Sequence, residues 1–107
     1  MRRGDIVTVV ISGAYGKPRP ALVVQSDLFN EHPSVTILPI TSHLRETPLF
    51  RLDLYPSHKN GLDKPSQVMV DKIQSVPRKQ VGSVIGRLDD RKMVEVNRML
   101  AVFLGMD

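Results

Sequence analysis

The spacing of chain breakers constrains this chain most. Eight prolines and seven glycines in 107 residues cut it into short β-branched or apolar runs: Ile6–Ile11, Ala21–Gln25, Val35–Ile40, Leu49–Leu54, Gln67–Ile73 and a weaker Val81–Ile85. Runs this short fit strands, not long helices, and their number predicts a small barrel or sandwich. The first three runs are apolar on both parities, so both of their faces should be buried. The fourth alternates, with Phe50, Leu52 and Leu54 against Arg51 and Asp53, and should be half-exposed. Asn60-Gly61 signals a hairpin turn between the fourth and fifth runs, because that dipeptide tolerates positive φ. A short helical turn is expected around Ser26–Glu31.

From Asp89 to Leu104 the period changes. Met93, Val96, Leu100 and Phe103, flanked by Met99 and Leu104, form one apolar stripe of an amphipathic helix. Asp89 fits as its N-cap and Gly105 as the residue that ends it. Phe50 and Phe103 are expected in the core. The basic cluster Arg87, Arg91, Lys92 and Arg98 is mixed with Asp89, Asp90 and Glu95, which predicts a solvated helix face. The expected fold is mainly β with a C-terminal helix: a strongly bent sheet of five to six antiparallel strands, formed by residues 1–107 as a single domain.

Composition removes several chemistries. No cysteine is present, which excludes disulfides, Cys-ligated metal and thiol nucleophiles. Arg2 and Arg3 resemble the start of a signal peptide, but the apolar stretch behind them is interrupted by Thr8 and ends at Ser12-Gly13. No stretch approaches a membrane span of ~20 apolar residues. A soluble cytoplasmic protein is expected. Fifteen basic against eleven acidic side chains leave a net charge of +4, concentrated in the second half of the chain. That balance permits a polyanionic partner without requiring one.

Three segments carry candidate chemistry. In Gly16-Lys17-Pro18-Arg19-Pro20 a proline on each side restricts the backbone of Arg19. A rigidly presented guanidinium suits a phosphate, although an arginine at the head of a strand can equally pair with a surface carboxylate. Pro39-Ile40-Thr41-Ser42-His43 ends a strand in consecutive polar groups. If the second and third strands pair antiparallel across residues 26–34, Arg19 comes beside Thr41. In Ser66-Gln67-Val68-Met69-Val70-Asp71, period-two geometry sends Gln67, Met69 and Asp71 to one face, where Gln67 and Asp71 either line the same cleft or form an outward polar face. Tyr15, in the Gly13–Gly16 loop, is positioned to stack on a base. His32, His43 and His58 match no zinc-site spacing, so no metal site is assigned. No phosphate-binding glycine loop or nucleophile elbow occurs.

Taken in order, an Arg-Gly-Asp start, Lys-Pro-Arg-Pro-Ala-Leu-Val-Val, Pro-Ile-Thr-Ser, Ser-Gln-Val-Met-Val-Asp and Gly-Arg-Leu-Asp-Asp ahead of a helix resemble the MazF/PemK family of toxin–antitoxin toxins. The resemblance runs from Arg3 to Gly105. It implies an SH3-like small barrel of the MazF/CcdB type, a homodimer, and a sequence-specific, metal-independent endoribonuclease that cleaves single-stranded messenger RNA and arrests growth. It also implies 2′,3′-cyclic phosphate and 5′-hydroxyl ends, with no cofactor. By position, the family's arginine is Arg19 and its threonine Thr41, while Asp71 falls where some members carry a functional acid. Met69 stands where one branch has a catalytic arginine, so that branch's mechanism does not transfer.

These expectations make Arg19 and Thr41 catalytic. Ser42, His43, Gln67 and Asp71 are candidates for catalysis or substrate binding, and Tyr15 and Lys17 for RNA binding. For the proton acceptor, His43 and Asp71 are the candidates. The implied protein partner is an antitoxin with an acidic, disordered C-terminal segment, which a positively charged toxin complements. Two other readings are a CcdB-like gyrase poison without nuclease activity and a catalytically inactive SH3-like binding module. Gyrase poisons bind through a helix end with a Trp-Gly-Ile-type terminus; this chain has no tryptophan and ends Gly105-Met106-Asp107.

Overall fold

A computed structural model describes residues 1–11 and 16–106. Seven strands, β1 (Asp5–Val9), β2 (Arg19–Val23), β3 (Ser34–Thr41), β4 (Arg51–Leu54), β5 (Ser66–Met69), β6 (Gln74–Pro77) and β7 (Val81–Arg87), precede one helix, α1 (Asp90–Leu104). All pairings are antiparallel, in the order β4-β5-β3-β2-β1-β7, with β6 also pairing to β3. The expected class holds. The strand count is seven because the run at residues 67–73 is not one strand: it leaves the sheet at Val70, turns through a 3-10 segment (Val70–Lys72) and re-enters as β6.

Strand β3 organises the sheet. Its first half, Ser34 to Ile37, pairs with β6, and its end, Ile40 and Thr41, pairs with β5. Pro39, which has no N–H to donate, falls where β3 has passed β6 and not yet met β5. On the other side Ala21, Leu22 and Val23 face Pro39, Leu38 and Ile37.

Because the central strands are apolar on both parities, they supply two cores. Ile6, Leu22, Leu38, Ile40, Leu52 and Val68 pack with Met93 and Val96 of α1, while Val7, Val9, Ala21, Val23, Val35, Ile37 and Val76 pack on the opposite face. Burying each such side chain contributes about 1.5–3 kcal/mol before entropy is counted. Strand β4 alternates as its sequence dictates, with Leu52 and Leu54 buried and Asp53 exposed.

Helix α1 begins where expected. The Asp89 carboxylate accepts from the Lys92 N–H at 2.8 Å, and Gly105 ends the helix at φ +71°. The short turn near Ser26 is a 3-10 segment, Asp27–Phe29, capped by the Ser26 hydroxyl. Two expectations are corrected here. Phe103 is exposed because α1 packs on the core only as far as Met99 and Leu100, and Phe50 is only half-buried because it stands in the turn ahead of β4. Arg87 does not belong to a helix face: it ends β7 and donates through Nη1 to the buried Asp5 carboxylate at 2.8 Å, tying β7 to β1. No helix among the described residues is long and apolar enough to cross a membrane.

Candidate functional site

Strand register delivers the first pair. Continuing the β2–β3 register two residues beyond Ala21 and Pro39 brings Arg19 level with Thr41. Both residues line one groove of about 860 Å³ together with Ser42, His43, Met69 and Lys72. Arg19 is exposed and held by the strand, opposite Val9 of β1. Thr41 is half-buried, opposite Gln67 of β5. The His43 N–H donates to Thr41 Oγ1 at 3.0 Å. With that lone pair engaged, the hydroxyl keeps its own proton as a donor for a ligand.

The opposite wall comes from the connection between β4 and β5, where Gly61, Leu62, Asp63 and Lys64 face the groove. Gly61 does adopt positive φ, at +69°, but the connection covers residues 55–65 and is not a two-residue hairpin. The reason is Asn60. Its buried side chain accepts from the Ser57 and Leu62 N–H groups, each at 3.0 Å, and donates to the Tyr55 carbonyl at 2.8 Å. The Arg87 N–H donates to the Lys59 carbonyl at 2.8 Å, which fastens this wall to β7.

The electrostatics favour an anion. Arg19, Lys64 and Lys72 bring three cations to the groove against one carboxylate, Asp63. Among the described residues the ion pairs are Arg87 with Asp5 and Lys92 with Glu95, so no groove cation is neutralised by a partner. No group of three or more His, Asp or Glu is gathered for a metal ion among them.

The other sequence candidates separate. Ser42 and His43 are exposed on the groove rim. Gln67 is not in this groove; its side chain bonds Arg45, Arg51 and Asp53 on the far side of the 42–46 segment. Asp71 is not in it either, because the period-two pattern stops at Met69: the chain turns at Val70, whose N–H donates to the Phe50 carbonyl at 2.9 Å. The Asp71 Oδ1 atom is instead buried without a hydrogen-bond partner. Lys17 is exposed two residues before Arg19 but does not line the groove. Tyr15 lies outside the described residues.

Lys64 and Lys72 were missed by sequence reasoning. One stands on a loop and the other on a 3-10 turn, and only tertiary pinning brings them to Arg19. The positive excess of the second half signals charge, not place.

Comparison with known proteins adds to this geometry. The family model for the PemK-like, MazF-like toxin of type II toxin–antitoxin systems matches residues 2–104. A protein described as "Probable endoribonuclease MazF" from Mycolicibacterium smegmatis is 45% identical over 107 residues, covering 99% of this chain and 98% of that protein. Among solved structures, Mycobacterium tuberculosis toxin MazF-mt6 superposes with a TM-score of 0.83 at 25% identity, covering 96% of this chain and 98% of that one. A MazE–MazF structure from Deinococcus radiodurans gives a TM-score of 0.79 at 26% identity over 99% and 97% of the two chains.

Proposed function

Because the chain belongs to the PemK-like, MazF-like toxin family of type II toxin–antitoxin systems, we propose that the groove between Arg19, Thr41 and residues 61–64 is where it cleaves RNA. The protein is an endoribonuclease toxin, and the gyrase-poison and inactive-module readings are not favoured. One observation carries the assignment of the site: adjacent strands bring a permanent cation and a hydroxyl donor to one unneutralised groove.

The chemistry asks little of the protein. The 2′-hydroxyl of the RNA attacks the adjacent phosphorus, the bond from phosphorus to the 5′-oxygen breaks, and the products carry a 2′,3′-cyclic phosphate and a 5′-hydroxyl. The proton lost from the 2′-oxygen must be accepted, and the 5′-oxygen must receive one. Charge gathers on the non-bridging oxygens in between. Arg19 offsets it with a planar fork that is a poor proton donor, and the Thr41 hydroxyl donates to one of those oxygens. His43, at the rim, is the proton-exchanging group we assign. Asp71 is dropped from that role because it does not face the groove.

In this reading the substrate is single-stranded messenger RNA in the cytoplasm, read at a short sequence. The functional unit is a homodimer of one-domain chains. The antitoxin partner engages through an acidic segment that competes with RNA for the same cations, since a carboxylate-rich peptide and a phosphate chain satisfy the same donors.

The deciding experiment incubates the purified protein with a long RNA in excess chelator and maps the cut ends. We expect cleavage at a recurring short sequence, unchanged by chelator, with 2′,3′-cyclic phosphate ends. Intact RNA, or cleavage lost with the chelator, would overturn the reading. Salt gives a second check. Three phosphates neutralised by Arg19, Lys64 and Lys72 predict a slope near −2 in log affinity against log salt for uncleavable RNA, at roughly −0.7 per contact. Lys64→Ala and Lys72→Ala should each flatten that slope by about 0.7. An unchanged slope would remove that lysine from the RNA path.

A further inference from the structure

Gln67 is only 6% exposed, which takes it out of reach of an RNA strand. All four of its side-chain hydrogen bonds stay inside the protein. Its Oε1 accepts from the Arg45 N–H at 3.0 Å and from Arg51 Nη1 at 2.9 Å. Its Nε2 donates to the Arg45 carbonyl and to Asp53 Oδ1, both at 2.8 Å. A side-chain amide that both accepts from and donates to one residue's backbone acts on it as a neighbouring strand would. Arg51 continues the brace, because the same Nη1 donates to the His43 carbonyl at 2.9 Å while Nη2 rests 3.5 Å from Met69 Sδ. These contacts hang the 43–45 backbone from β4 and β5. The next link is the His43 N–H on Thr41 Oγ1 at 3.0 Å.

We propose that Gln67 and Arg51 are positioning residues for RNA cleavage: by fixing residues 43–45 they keep the His43 N–H on the Thr41 oxygen, which aims the Thr41 proton into the groove. This rests on the groove being the cleavage site. Without the brace the exposed 42–46 segment fluctuates, and the hydroxyl proton is no longer confined to one direction. Arg51 serves two acceptors at once from the single nitrogen Nη1, at a reach that lysine, whose ammonium lies one bond closer to the backbone, covers only in part.

The test is Gln67→Leu, with Arg51→Lys as the conservative partner. Amide exchange at His43 and Arg45 should quicken by about tenfold or more, with Leu52 and Val68 unchanged. The kcat should fall roughly 10- to 100-fold, the cost of a misplaced donor. KM, and affinity for RNA with a 2′-deoxy scissile ribose, should stay within about threefold. Arg51→Lys should retain part of the lost rate. Exchange at His43 and Arg45 unchanged in Gln67→Leu would overturn the proposal, as would faster exchange with unchanged kcat, or a raised KM with unchanged kcat. Should Gln67→Leu fail to fold, Arg51→Met, at a half-buried position beside Met69, carries the same measurements. The nuclease reading is judged separately, on the unmodified protein, and the exchange result does not depend on it.

Discussion

Replacing Arg19 with alanine is expected to lower RNA cleavage by about 10³-fold, at a cost in stability within about 0.5 kcal/mol. The two halves of that expectation have different origins. Stability is spared because the Arg19 side chain is exposed, no ion pair among the described residues includes it, and strand pairing to Val9 runs through the backbone. Activity is lost because nothing else in the groove can take its place: Lys64 and Lys72 are point charges on other walls and cannot present two parallel donors to a phosphorane. Arg19→Lys should therefore recover only a small part of the rate. Thr41→Ala should cost roughly 10²- to 10³-fold, as removal of one oxyanion donor does. Single-turnover cleavage at saturating enzyme, beside thermal unfolding of each variant, reads both halves. A folded Arg19→Ala protein with full activity would sink the assignment of the site.

How much of this was legible beforehand depends on the reach of local patterning. Proline on both sides of Arg19, and the antiparallel pairing of two apolar runs across a short connection, were enough to bring Arg19 level with Thr41, and the observed register agrees. Within one element the side-chain period is fixed by the backbone, so faces can be read directly. At Asp71 the same rule fails, because it holds only while the chain stays extended, and the turn at Val70 is set by packing and by the Phe50 carbonyl. Gln67 was legible as a polar residue on a strand, yet its partners Arg45, Arg51 and Asp53 come from another strand and a loop that no periodicity connects to it. Helical spacing alone puts Phe103 in the core, but spacing cannot say where along α1 the packing on the sheet stops.

Gly61→Ala is expected to destabilise the protein by roughly 2–4 kcal/mol, lowering its Tm by about 10–20 °C. Two costs add. Gly61 has φ +69°, a conformation that costs a side-chain-bearing residue about 1–2 kcal/mol. A Cβ built there would also lie 2.0 Å from the Ile85 carbonyl oxygen, and backbone cannot rotate aside as a long side chain can. The same contact viewed from β7 gives the same answer: a Cβ on Gly86 would lie 2.2 Å from the Asn60 carbonyl carbon and oxygen. Gly105 separates the terms, since it shares the positive φ at +71° but has nothing within 4 Å of a built Cβ. Gly105→Ala should thus cost only about 1 kcal/mol. Urea titrations with a common m-value give the difference directly. Equal losses at Gly61 and Gly105 would mean that residues 59–61 can ride off β7, and the groove wall would then move with them. A larger loss at Gly61 means instead that the Lys59–Arg87 hydrogen bond and the two glycines act as one clamp. In that case the wall bearing Asp63 and Lys64 stands at a fixed distance from Arg19 and Thr41, as the groove proposed to take one RNA strand would require.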